Sequence, residues 1–105
     1  MNTLHIEHPV TDYATWRSAF DRFAAARAEA GVRAARIQRP LDDDAYVLIE
    51  LDFDDADSAR GFLGFLEAVV WATPANSPAL AGSPQTRILQ TMEVPGGDVS
   101  RSISP

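Results

Sequence analysis

His5 and His8 are the two histidines of the chain, and an imidazole is the side chain best suited to proton transfer near neutral pH. They lie three residues apart in a segment, Thr3 to Val10, that alternates as a strand does. Leu4, Ile6, His8 and Val10 share one parity, and His5 and Glu7 take the other. The two rings are therefore expected on opposite faces, a spacing that builds no shared metal site. Each has two readings: a pocket acid or base, or a strand histidine held by hydrogen bonds or facing water. Glu50, on a later strand, is the third catalytic candidate. In an enclosed site its pKa would rise, whereas beside Arg36 or Arg87 of the same sheet it would form a salt bridge. Tyr46 shares a face with Glu50, and Trp71 closes a helix next to a loop. These two are the candidate ligand-binding residues, each a large ring with one polar donor. Trp16 is read as core.

The elements that must carry these residues follow from periodicity. After the first strand, Thr11 or Asp12 can cap a helix. Tyr13, Trp16, Phe20, Phe23 and Ala24 then recur at spacings of three and four, and alanines continue to Ala30 before Gly31. This predicts one helix from Tyr13 to Ala30. Val32 to Leu41 reads as a second strand. Pro40 and Asp42-Asp43-Asp44 make a turn, and Ala45 to Phe53 is a third strand, with Val47, Ile49, Leu51 and Phe53 on one face and Tyr46, Leu48, Glu50 and Asp52 on the other. Asp54, Asp55 and Asp57 mark the start of a second helix, whose stripe is Phe62, Leu63, Leu66, Val69 and Val70. Gly61 and Gly64 weaken it, through either a close backbone approach or simple tolerance. Residues 73 to 84 carry three prolines and form a loop, and Gln85 to Val94 is a last strand. The expected organisation is one domain over residues 1–94 and a flexible tail over 95–105.

The order β-α-β-β-α-β is the α+β, ferredoxin-like plan: a four-stranded antiparallel sheet with two helices on one face. The opposite face keeps Tyr46 and Leu48 without a cover, and the chain is too short to supply one. A second copy of the chain is the expected partner.

Composition narrows the function classes. A net charge of −6, with fifteen acids against nine bases, leaves no footprint for nucleic acid or anionic membranes. No cysteine is present, so disulfides, thiolate metal sites and a cysteine nucleophile are excluded. No apolar run approaches a membrane span, and no leader pattern opens the chain, so a cytoplasmic location is expected. The acidic runs 42–44 and 52–57 lack the alternation of a calcium loop. No phosphate-cradling glycine loop, no Gly-x-Ser-x-Gly and no His-Glu-x-x-His occurs, and neither a metal nor a cofactor is expected.

The segment His8-Pro9-Val10-Thr11-Asp12-Tyr13-Ala14-Thr15-Trp16, followed by Phe20-Asp21, Arg27-Ala28-Glu29-Ala30-Gly31-Val32 and Val47-Leu48-Ile49-Glu50-Leu51-Asp52-Phe53, resembles the dimeric α+β barrel superfamily over residues 3 to 94. The resemblance implies a homodimer whose sheets face each other, with a pocket between sheet and helices or inside the barrel. The superfamily includes cofactor-free antibiotic-biosynthesis monooxygenases, haem-degrading monooxygenases and stress-responsive proteins. The proline-rich loop after Trp71 departs from its usual longer helix, and no histidine downstream of His8 is present to hold haem. Two readings follow. One is a domain that binds a small apolar or aromatic molecule, or serves as an accessory. The other is a cofactor-independent monooxygenase acting on a polycyclic aromatic, for which His5, His8, Glu50, Tyr46 and Trp71 would form the site.

Overall fold

The computed structural model describes residues 1–95; residues 96–105, nearly all of the expected tail, lie outside the described residues. Strand β1 (Asn2–Pro9) is followed by helices α1 (Tyr13–Arg22) and α2 (Ala24–Ala30). Strands β2 (Ala34–Gln38) and β3 (Tyr46–Phe53) come next, then α3 (Ala56–Phe65), a π-helical turn (Leu66–Val70) and β4 (Gln85–Gln90). The strands form one sheet in the order β2-β3-β1-β4, with every neighbouring pair antiparallel. This is the ferredoxin-like arrangement.

The period-2 alternation of β1 and β3 does what the sequence requires of it. Leu4, Ile6, Val47, Ile49, Leu51 and Phe53 are buried on the helix side, joined by Ala59, Phe62, Leu66 and Val70 from α3 and the π turn. Thr3, His5 and Glu7 project from the other face, opposite Asp52, Glu50 and Leu48 in register. No helix among the described residues is long and apolar enough to cross a membrane.

The expected two helices are three. Phe23 interrupts the first: it leaves helical geometry (φ −101°, ψ 17°), and its N–H bonds to Phe20 at 3.2 Å, one residue short of the α-helical step. Its ring packs edge-on against Phe65 of α3, with centroids 6.1 Å apart, so tertiary packing overrides the alanine run's preference for continuing straight. Asp12 caps α1 by accepting from the Thr15 N–H at 2.9 Å, and Asp55 caps α3 through Ser58 at 2.7 Å. Gly31 ends α2 in the left-handed region at φ +94°. At Gly61 and Gly64 an added Cβ would meet nothing within 4 Å, so close approach is not their reason. Gly82 is different: a Cβ there would press on the Pro9 ring at 3.3 Å.

Two strands are shorter than predicted. Gln90 pairs with Asn2, where β1 begins, and the Thr91 N–H makes a last bond to Met1. Beyond it no neighbouring strand among the described residues continues the ladder, and Met92 and Val94 stand exposed. In β2 the ladder stops at Gln38, two residues before Pro40 removes a donor.

Candidate functional site

The sheet separates the candidate residues into two groups. His8 and Trp71 lie on the helix side; His5, Glu50 and Tyr46 lie on the open face.

The helix-side group lines a cleft between sheet and helices. Its floor is Ile6, His8, Ile49 and Leu51, and one wall is Trp16, Phe20 and Phe23 at helical spacing along α1 and its end. Trp16, expected in the core, is half-buried and forms part of that wall, its ring 5.2 Å from Phe20 and 5.8 Å from Tyr13. The other wall comes from Phe62, Leu66, Val70 and Trp71. Here the last turn is widened: the Trp71 N–H reaches back five residues to Leu66 at 2.7 Å. That single π turn brings Trp71 over Leu66, so that both it and Val70 face the cleft.

The mouth is closed by Asn76, Ser77 and Leu80 from the proline-rich loop. Four bonds hold this loop in place: Thr11 N–H to Ala79, Ala81 N–H to Pro9, Asn76 Nδ2 to Val69 and an Arg22 N–H to Ala75, at 2.9 to 3.2 Å. An isolated bridge pairs Val10 with Leu80. The internal room is about 70 Å³.

His8 is 2% exposed. Its Nδ1 lies 2.9 Å from the Pro9 carbonyl oxygen. A carbonyl only accepts, so Nδ1 carries the proton and Nε2 keeps its lone pair. Burial pulls the pKa of His8 below the usual histidine value, with the Pro9 bond opposing it. The ring is therefore a neutral acceptor, seated edge-on to Trp16 at 6.1 Å.

Arg27 of α2 also lines the cleft and was not singled out by sequence reasoning. Its guanidinium stands 3.7 Å from the centre of the Phe20 ring and donates to the Phe20 carbonyl at 2.6 Å. The signal was present: Tyr13, Trp16, Phe20, Phe23 and Arg27 continue one series of threes and fours, so that a charge falls on the apolar stripe.

On the open face, cross-strand pairing assembles a continuous polar chain. Tyr46 Oη donates to Glu7 at 2.7 Å. His5 Nε2 meets Glu7 at 2.8 Å, and His5 Nδ1 meets Glu50 at 3.2 Å. Arg36 bridges Glu50 (3.1 Å) and Asp52 (2.9 Å), and Thr3 Oγ1 donates to Asp52 at 2.7 Å. With a carboxylate at each ring nitrogen, His5 satisfies both only as imidazolium. The Glu7 hydrogen bond chiefly raises its pKa, and burial opposes. In return, His5 and then Tyr46 hold Glu7 below the usual carboxylate range, and Glu7 raises the Tyr46 phenol. Arg36 is the main cause of the lowered Asp52 carboxyl. Glu50 thus takes the salt-bridged form of its two expected readings. Tyr46 is tied to Glu7, on the far side of the sheet from Trp71. Among the described residues no cluster of three or more His, Cys, Asp or Glu side chains is arranged to hold a metal.

No family model matches this chain, and neither does any curated protein. Solved structures do. The chain is similar to SnoaB, a cofactor-independent oxygenase from Streptomyces nogalater, at 21% identity and TM-score 0.68, covering 90% of this chain and 95% of that one. It is similar to a monooxygenase from the gene ActVA-Orf6 of Streptomyces coelicolor, solved with nanaomycin D, at 15% identity and TM-score 0.60, covering 89% and 88%. A third, a dimeric ferredoxin-like protein from an uncultured marine organism, matches at 13% identity and TM-score 0.59, covering 89% and 96%. At these identities the likeness establishes architecture: the chain has the ferredoxin-like α+β fold that these oxygenases and the dimeric protein share.

Proposed function

We propose that this protein is a small-molecule-binding domain that works as a homodimer, with its ligand in the cleft between helices and sheet. One observation carries the reading. A cleft walled by Trp16, Phe20, Phe62 and Trp71 holds a buried, neutral His8 whose Nε2 has no partner among the described residues. An apolar cleft with a few convergent polar groups is the usual form of a ligand site. A planar aromatic bearing a hydroxyl matches its chemistry, the rings against the tryptophans and the hydroxyl donating to Nε2. The internal room is about half of the roughly 150 Å³ that admits benzene. Binding therefore requires the mouth formed by Trp71 and residues 76–80 to widen.

The dimer is supported by the open sheet face. Leu48 and Tyr46 are half-buried there, and Leu89 is 39% exposed. A second sheet laid on this face would cover all three and lie against the Glu7–His5–Glu50–Arg36 chain. The cytosol is the compartment we assign, where a cysteine-free chain loses nothing by the absence of disulfides.

The test uses the chain's two tryptophans, Trp16 and Trp71, as reporters. Titration with a naphthol should quench their fluorescence saturably, and Trp71→Ala should weaken binding about ten-fold. Linear, non-saturable quenching across hydroxyaromatics would reject the cleft as a ligand site. Sedimentation should give a dimer that Leu48→Asp converts to monomer; a monomeric wild type rejects the partner assignment.

A second reading, a cofactor-independent monooxygenase acting on a polycyclic phenol, is favoured by the His8 tautomer. Nε2 would take the ring-hydroxyl proton; the resulting anion supplies the electrons to dioxygen, one oxygen atom replaces the hydrogen of a ring C–H to give the quinone, and the other leaves as water with the two hydrogens the phenol has lost. Similarity to SnoaB and ActVA-Orf6 supports it as analogy of fold. Dioxygen uptake with incorporation of labelled oxygen into such a phenol, lost in His8→Gln, is the expected result. Binding without uptake leaves the binding domain as the function.

A further inference from the structure

The chain is acidic, with fifteen carboxylates and a net charge of −6. None of those carboxylates stands in the cleft wall among the described residues; its titratable groups are His8 and Arg27. Because His8 is neutral, Arg27 supplies the formal charge there. This arginine is used differently from others in the chain. Arg17, Arg33, Arg36 and Arg60 each hold an Asp or Glu. Arg27 makes no ion pair among the described residues. Its nearest charged neighbours are on α1: Asp21, which acts on it through space but is exposed and held by Arg17, and Arg17 itself, which repels it.

The guanidinium is half-buried and lies over Phe20. It has five N–H donors, one of which goes to the Phe20 carbonyl; no other hydrogen bond of the group is made among the described residues. A partly desolvated cation beside an apolar cleft, with donors to spare in a planar fork, is built to receive a carboxylate.

We propose that the ligand of this cleft is an anionic hydroxyaromatic. Its carboxylate lies on the Arg27 guanidinium, its ring hydroxyl donates to Nε2 of His8, and its rings occupy the space between Trp16, Phe20 and Leu66. The inference rests on the cleft being the ligand site and adds the ligand's charge. Arg27 has a competing, purely architectural role, since its bond to Phe20 ties α2 to the end of α1. The test has to separate the two.

The probes are a hydroxynaphthoate with its two groups on opposite rings and the methyl ester of the same compound, titrated into the full chain. The acid should bind wild type at least about ten-fold more tightly than the ester, as a charge-assisted pair would give. Arg27→Gln should weaken the acid much more than the ester, so that the difference between them closes, while Arg27→Lys should keep part of the difference. Equal affinities of acid and ester in wild type overturn the proposal without any variant. An equal loss for both probes in Arg27→Gln also overturns it and assigns Arg27 to propping Phe20. Saturable binding of the ester alone rejects the anion while sparing the cleft; binding of neither probe removes the ligand site and this inference together.

Discussion

The two faces of the sheet differ in how they treat charge. On the helix side, β1 and β3 present Leu4, Ile6, Val47, Ile49 and Leu51, and the polar groups that remain have unused capacity among the described residues: a lone pair on His8, further donors on Arg27. On the open face the same two strands present His5, Glu7, Glu50 and Asp52, and each is bound to a neighbour. Spare capacity beside apolar walls suits ligand binding, whereas a saturated chain of ion pairs leaves little for a small ligand to bond and fixes register. His5 and His8 make the contrast sharpest. Three residues apart on one strand, one is held as imidazolium by two carboxylates and the other is kept neutral by burial.

The largest expected difference between the faces is in stability. Leu51 is 1% exposed on the helix side, and Leu51→Ala should cost about 2–5 kcal/mol through lost burial and a cavity. Leu48→Ala, on the half-buried open face, should cost less than about 1.5 kcal/mol in the isolated chain. Urea unfolding of the two variants decides this. Equal losses would mean that the open face is as much a core as the other.

The next effect is confined to acid. His8 titrates near 6.5 when unfolded and lower when folded. Between those values the unfolded chain binds the extra proton, so stability is full above pH 6.5 and falls as pH drops below it. Stability measured by denaturant at a series of pH values should show this decline, and His8→Gln should remove it from the range between 6.5 and the carboxylate region. A wild-type curve flat over that range would mean that His8 is protonated in place, which would end its role as acceptor.

Much of this arrangement is legible in the sequence, because strand alternation is a strict period. The parity of residues 3 to 10 and 46 to 53 assigns His5, Glu7, Tyr46 and Glu50 to one face and His8 to the other. Asp12, Asp55 and Gly31 mark helix ends through chemistry that acts within four residues. What escapes is set by contacts distant in sequence. Phe23 breaks the first helix where Phe65 meets it, and the widened turn before Trp71 has no local signature. That the sheet lies between Tyr46 and Trp71, by contrast, follows from the parity of residues 46 to 53 and from the place of Trp71 at a helix end. Arg27 was readable in principle, as a charge at a stripe position; its lack of a carboxylate partner is visible only in three dimensions.

A smaller effect distinguishes the paired arginine from the unpaired one. Arg36 holds Glu50 and Asp52 but is 45% exposed, so Arg36→Gln should cost less than about 1 kcal/mol at neutral pH. Its mark should appear at low pH. Arg36 is the main reason that the Asp52 carboxyl is depressed, and a depressed carboxylate contributes stability that is lost as pH falls through its folded pKa. The variant should therefore lose less stability than wild type below pH 4. If the acid limbs coincide, Arg36 is a solvated side chain, and Thr3 alone holds Asp52.

The smallest effect is the mirror image of the His8 slope. The folded pKa of His5 lies above 6.5, so in the window between the two values the folded chain holds a proton that the unfolded chain has released. Its contribution is fully present below pH 6.5 and is lost as pH rises through the folded value. His5 is 22% exposed and its partners about 30%, so screening keeps the slope shallow. His5→Gln should flatten the alkaline side of the curve and leave the His8 slope, between pH 6.5 and the carboxylate region, unchanged; only in the carboxylate region, where His5 holds Glu7 down, should it act on the acid side. The two single variants should thus remove opposite limbs of one profile, and the double variant should be the sum, since the sheet stands between the rings. If His5→Gln also altered the slope between pH 6.5 and the carboxylate region, the faces would be coupled through β1, and the open-face chain would reach into the cleft's chemistry.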